Sequence, residues 1–176
     1  MKNTKKNYPP RNPRPARDYF RILPIAAAMA ASGFIQPALA VDRTWFGGAG
    51  DWGVDTNWSP TGVPGISDKA IINSGNSTLS FNTGITGLDL SSGTLSGTGN
   101  LTLSGLSSWT GGSISGAAST TFNDTLDIIG NNGKGISGTR VINLNDTTTW
   151  GGNTGNSGNT LFFSNGTINN AGTFND

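Results

Sequence analysis

The feature that most constrains this chain is a short unit that returns at a fixed interval. Gly93-Thr-Leu-Ser-Gly97 is followed one interval later by Gly112-Ser-Ile-Ser-Gly116. The same offset pairs Leu90 with Trp109, Leu95 with Ile114 and Leu103 with Phe122. Further on it pairs Phe122 with Val141, Ile142 with Leu161 and Leu144 with Phe163. A period near 20 lies below those of the helical repeats and fits a solenoid whose coils bury their inner faces on their neighbours. Gly, Ser, Thr and Asn dominate the unit; they disfavour helix interiors and suit turns and exposed strand faces. The sequence therefore predicts an all-β fold, a right-handed parallel β-helix (β-solenoid) of about 19–21 residues per coil.

Alternation within each burst assigns the faces, because successive side chains of a strand point to opposite sides. Leu88 and Leu90 are expected inside with Asp89 outside, and Leu101 and Leu103 inside with Thr102 outside. Leu126 and Ile128 flank an outward Asp127, and Ile142 and Leu144 flank an outward Asn143. Trp109 and Trp150 recur close to two coils apart, and Trp109 shares the inward position of Leu90. Gly166-Thr-Ile168 follows Gly112-Ser-Ile114 at a spacing that is no multiple of the period. Residues 130–138, GNNGKGISG, read as a loop bulging from the coil. No proline follows Pro64, as a ladder that uses every backbone N–H requires.

The chain divides into three. Residues 1–21 hold seven of the eleven basic residues, and residues 22–35 form a largely apolar run, ILPIAAAMAASGFI. Ala38-Leu39-Ala40 then supplies the small residues of a cleavage site, so residues 1–40 read as a secretory signal peptide removed before Val41. The apolar run is shorter than the roughly 20 residues a membrane helix needs, and no later run is long enough to span a membrane. Residues 41–65 carry Trp45, Trp52, Trp58, Pro60 and Pro64 and read as an N-terminal cap, since the first coil of a solenoid needs cover. Residues 66–176 read as the solenoid proper. Its end lacks any cap-like composition, which predicts further coils, an end-to-end contact between copies, or a partner over Phe163, Ile168 and Phe174.

From Val41 onward four basic residues face nine aspartates, a net charge of −5. That excludes a phosphate-backbone partner, which needs clustered Lys and Arg; no nucleic acid is expected. The chain has no His, no Cys and no Glu, so Ser–His and Cys–His catalysis and thiolate metal sites are excluded. Gly47-Gly-Ala-Gly-Asp51 does not repeat and makes no calcium motif. The charged cluster of the body is Asp124, Asp127, Lys134 and Arg140. A polysaccharide lyase or hydrolase could place its acid and base there, but the sequence reads the four as solvated outward residues. No catalytic, cofactor-binding or metal-binding residues are assigned, and no cofactor is expected. The three clustered Trp are expected in the lid, with a platform for sugar rings as the alternative.

Trp45-x-Gly-Gly-x-Gly-Asp-Trp52, Asn57-Trp-Ser-Pro60, Gly62-Val-Pro-Gly65 and Asp68-x-Ala-Ile-Ile72 together resemble the N-terminal opening of bacterial autotransporter passengers and related large surface-exposed β-helix, adhesin-like proteins. Trp109-Thr-Gly-Gly112 and Asn169-Asn-Ala-Gly-Thr-Phe174 are similar to pieces of their repeats. The resemblance implies export across a Gram-negative envelope to the outer cell surface or the extracellular space. It also implies a C-terminal membrane barrel that has no counterpart in these residues. The expected role is structural or adhesive, non-enzymatic because His, Cys and a convergent charged site are missing, with its partner, a cell surface or a glycan, left open. The alternatives are a polysaccharide-active enzyme and a carbohydrate-binding module that uses the Trp residues.

Overall fold

The computed structural model describes residues 39–151 and 159–176; the expected leader lies almost entirely outside them. Where the sequence alternates, the chain forms short strands, and three strands with three corners complete one coil. The first sheet takes β1 (Asp42–Trp45), β4 (Lys69–Ile72), β7 (Gly87–Leu90), β10 (Ser107–Trp109), β13 (Leu126–Ile129), β16 (Thr148–Gly151) and β19 (Phe174–Asn175). The second takes β2 (Ala49–Asp51), β5 (Asn76–Leu79), β8 (Thr94–Gly97), β11 (Gly112–Ile114), β14 (Lys134–Ser137) and β17 (Leu161–Ser164). The third takes β6 (Thr83–Ile85), β9 (Leu101–Leu103), β12 (Ser119–Phe122), β15 (Val141–Leu144) and β18 (Thr167–Asn170). The strands of successive coils pair in parallel throughout the three sheets. The fold is a parallel β-solenoid of about 5 turns.

The core consists of columns that run along the solenoid axis, one side chain per coil. Ile72, Leu90, Trp109 and Ile128 stack in one column, Leu95, Ile114 and Ile136 in a second, and Ile85, Leu103, Phe122 and Leu144 in a third. All of these are buried. The expected pairs Leu90–Trp109, Leu95–Ile114 and Leu103–Phe122 are register partners. Trp150 lies two pairings beyond Trp109, through Ile128.

Glycine sets how closely the corners stack. Gly93 and Gly112 have φ of 73° and 78°, and a β-carbon on either would lie 2.6 Å from the carbonyl oxygen of the glycine one coil earlier. Any larger residue would meet both the backbone penalty and this contact. On the opposite corner Gly97, Gly116 and Gly138 repeat the pattern. In the next coil the position beyond Ser164 falls to Asn165, with φ 63°; asparagine tolerates this region better than other side chains.

The later pairings depart from the expected period. Phe122 faces Leu144, while Val141 lies opposite Ser119. Ile142 faces Ile168 and Leu144 faces Asn170, whereas Leu161 and Phe163 belong to the second sheet, opposite Lys134 and Ile136. The cause is one corner. Between the first and second sheets the chain uses residues 73–75, 91–93 and 110–111 in successive coils, then 130–133, and in the next coil the second sheet resumes only at Leu161. Each lengthening shifts every later partner. It also explains Gly166-Thr-Ile168: Ile168 continues the third sheet, and Ile114 belongs to the second. The loop expected over residues 130–138 is corrected in the same way, because β14 holds Lys134–Ser137 in the ladder and only residues 130–133 and Gly138 lie outside it.

Residues 41–65 supply β1 and β2 to the sheets. A 3-10 turn (Asp55–Asn57) and β3 (Trp58–Ser59) follow, and β3 pairs antiparallel with β1. That pairing covers the outer edge of the first sheet. Trp45, Trp52 and Trp58 are buried beneath it, Trp58 edge-on to both of the others at 5.1 and 4.7 Å between ring centroids.

Candidate functional site

The charged cluster of the sequence does not assemble. Asp124 lies at a corner, where its carboxylate accepts from the Thr125 N–H at 2.6 Å. Asp127 sits on the outer face of β13, in the row of Asp89 and Ser108. Lys134 and Arg140, expected as solvated outward residues, are corrected: they are 1% and 0% exposed and point inward. Lys134 takes the register position of Gly112. Its ammonium donates to the carbonyls of Gly130 and Asn132 and, at 2.8 Å, to Asn159 Oδ1. Burial pushes its pKa below the usual lysine range. The Arg140 guanidinium donates twice to Thr120 Oγ1, at 3.0 and 2.7 Å, and once to the Gly99 carbonyl two coils back. Burial lowers its pKa to about 10. Among the described residues neither cation forms an ion pair; carbonyl and hydroxyl oxygens satisfy them instead, as buried charges require. The acids are outside and the bases inside, so no acid–base pair faces a common substrate position.

Two other arrangements are more site-like: an end that the sequence had marked through Phe163, Ile168 and Phe174, and a clasp that it had not. One is an open hollow of about 500 Å3 over the last coil, lined by Trp150, Leu161, Phe163, Ile168 and Phe174, with Asn159, Thr160 and Asp176 adding polar atoms. The Trp150 and Phe174 rings stack there, 6.5 Å apart and 29° from parallel. Phe163 and Phe174 are 53% and 45% exposed, far from the near-zero exposure of their counterparts in earlier coils. The signal for it was the final apolar positions, which have no later coil in these residues to cover them.

The second arrangement is a clasp on Asp68, a buried carboxylate. Its Oδ2 accepts from Arg43 Nε at 2.9 Å and from the Gly65 N–H at 3.0 Å, and its Oδ1 accepts from the Val41 N–H at 3.0 Å. Burial alone would raise its pKa. The hydrogen bonds from Gly65, Arg43 and Val41, with the charge of Arg43, outweigh burial and hold it below the usual carboxylate range. Arg43 Nη1 also donates to the carbonyls of Pro60 and Thr61, 3.0 Å each. The clasp thereby ties together β1, the loop that follows β3 and the entry to β4.

On the outer surface, neutral polar ladders link the coils. Asn169 donates to Asn143 Oδ1, Asn143 to Thr121 Oγ1 and Asn145 to Asn123 Oδ1. The Lys69–Asp89 ion pair lies on the first sheet instead. No cluster of three or more His, Cys, Asp or Glu able to hold a metal occurs among the described residues. No helix among them is long and apolar enough to cross a membrane.

No protein-family model, curated protein or solved structure matches this chain.

Proposed function

We propose that this chain is a secreted or cell-surface structural β-solenoid module of the autotransporter-passenger type, adhesive rather than enzymatic, exported behind a leader removed after Ala40. The observation that carries the reading is the separation of the charged cluster: Asp124 and Asp127 lie on the surface while Lys134 and Arg140 are spent on carbonyl and hydroxyl acceptors within the stack. A glycosidase or lyase needs acid and base on opposite sides of one bond, and these four groups face different ways. What the coils do offer is length and a regular surface of Asn, Thr and Ser, the properties of a displayed stalk. The exposed Phe163 and Phe174 of the last described coil support the proposal that a further coil, a second copy or another partner covers that face.

The test is expression of the full chain in a Gram-negative host, followed by surface labelling and a cell- or glycan-adhesion assay. The reading expects labelled, adherent protein whose adhesion survives replacement of Asp124 and Asp127 by Asn. Turnover of a polysaccharide that disappears in this double variant would replace the reading with an enzymatic one.

One observation favours a carbohydrate-binding role: the stacked Trp150 and Phe174 beside Asn159, Thr160 and Asp176. Aromatic faces next to polar groups suit sugar rings. Trp150→Ala abolishing glycan binding while leaving the fold intact would select this second reading; unchanged binding would dismiss it.

A further inference from the structure

Val41 is both the residue expected to become the first of the exported chain and the residue whose backbone nitrogen touches the buried carboxylate of Asp68. The two facts have independent sources, one in the Ala38-Leu39-Ala40 motif and one in the 3.0 Å contact between Val41 N and Asp68 Oδ1. On the leader side of this contact the chain is open: Leu39 is 85% exposed and Ala40 is exposed as well. On the solenoid side it is fixed at once, because the Val41 carbonyl accepts from the Lys69 N–H at 3.1 Å and β1 begins at Asp42.

We infer that removal of the leader converts this contact into an ion pair, in which the new α-ammonium of Val41 docks on Asp68 and completes the N-terminal clasp. The inference deepens the proposed function and rests on its leader reading. In the uncleaved chain the nitrogen is a neutral amide with one proton to give. Hydrolysis of the Ala40–Val41 peptide bond consumes one water, leaves a carboxylate on Ala40, and gives Val41 an ammonium with three donors and a full charge. A charge-assisted hydrogen bond is shorter and about twice as strong as a neutral one. Asp68 suits the role because it is buried yet ionised. Its Oδ2 is already committed to Arg43 and Gly65, which leaves Oδ1 for the terminus. The other charged groups around the pair are Asp42 and Arg43 on β1, and Lys69, whose own ammonium is held by Asp89 at 3.1 Å. The arrangement makes the processed chain more firmly closed at its N-terminal end than its precursor.

An ammonium stabilised by a carboxylate has a raised pKa in the folded state. Its contribution is complete below the unfolded α-amino value, about 8, and is lost as pH rises through the folded value. The experiment compares three proteins by thermal unfolding between pH 6.5 and pH 10.5: the chain processed on export, the unprocessed full chain, and the processed Asp68→Asn variant. The first two proteins share every titratable side chain from Asp42 onward, so the difference between those curves reports the new terminus and the loss of the leader. The processed chain should melt roughly 3 °C or more above the unprocessed one at pH 6.5. The gap should close towards pH 10.5, and Asp68→Asn should lack the alkaline step. If Asp68→Asn does not fold, the first two curves decide the matter alone. N-terminal sequencing of the processed chain separates the two layers. A start other than Val41 overturns the leader reading and this inference with it. A start at Val41 with parallel curves overturns the ion pair and leaves the leader reading standing.

Discussion

The two ends of this solenoid meet the same physical problem and treat it differently. At the N-terminal end an antiparallel strand, β3, covers the edge of β1, three tryptophans pack edge-to-face beneath it, and the Arg43–Asp68 clasp fixes the neighbouring loop. At the other end β17, β18 and β19 are the outermost strands of their sheets, and Trp150, Phe163, Ile168 and Phe174 border an open hollow. A coil is stabilised by what lies on both sides of it. The closed end therefore holds its stability in its own side chains, while the last described coil has no such cover on its outer side.

This contrast orders the expected effects of substitution. The largest belongs to the closed end. Trp58→Ala removes a ring that contacts both other tryptophans and whose indole N–H donates to the Trp52 carbonyl at 2.8 Å. It should cost about 3–5 kcal/mol in urea unfolding, and Phe174→Ala at the open end should cost less than about 1 kcal/mol. Equal losses would erase the distinction between the ends.

Next comes the clasp. Asp68→Asn leaves Arg43 and two backbone N–H groups with a weaker acceptor and should cost about 1–3 kcal/mol. Because the Asp68 pKa is depressed in the folded protein, its contribution is complete above the unfolded carboxylate value of about 4. It is lost as pH falls through the folded value. Wild type should therefore lose stability below about pH 4, and Asp68→Asn should show a smaller loss over the same range. An unchanged acid profile would remove Asp68 from the account of the closed end.

A smaller effect is expected at Lys134, where β14 follows the lengthened corner. Its folded pKa lies below the ordinary lysine value, so the charged form is the one folding disfavours. Stability should rise with pH from the depressed folded value up to about 10.5. Lys134→Met should remove that slope and change stability near neutrality by no more than about 1 kcal/mol in either direction. A retained slope would assign it to another group.

The smallest effect on stability, within about 0.5 kcal/mol, is expected for Phe163→Ser with Phe174→Ser. That double variant should instead abolish end-to-end association measured by light scattering. Association that persists would place the contact elsewhere.

How far the sequence could be read follows the same gradient. Between Ile72 and Phe122 successive coils keep a nearly constant offset, and there the alternation of Leu90, Trp109, Leu95 and Ile114 was sufficient to set register. Beyond Phe122 an apolar residue happens to stand at the expected offset, Val141, and masks the lengthening of the corner at 130–133. The ladder instead keeps Thr120 on Ile142 and Phe122 on Leu144, which preserves two inward columns. Lys134 and Arg140 were misread because charge alone was taken to mean outward. Lys134 stood inside the run read as a loop, and its place in the column of Gly112 shows only once the lengthened corner is known. Nothing local marked Arg140, whose acceptors, Thr120 and Gly99, lie one and two coils back. Nor could composition show the Asp68 clasp, since Val41, Arg43 and Gly65 meet the carboxylate only once the first coil has closed.

The central claim is a stack of parallel coils closed at one end and open at the other, and amide hydrogen exchange along the chain tests it most directly. The account predicts the slowest exchange in β4 to β13, protection close to that level in β1 and β3 beside the tryptophans, and the fastest strand amides in β17, β18 and β19. Strong protection through Phe174 in a monomer, or exchange that begins at β1 while the last coil stays protected, would contradict it.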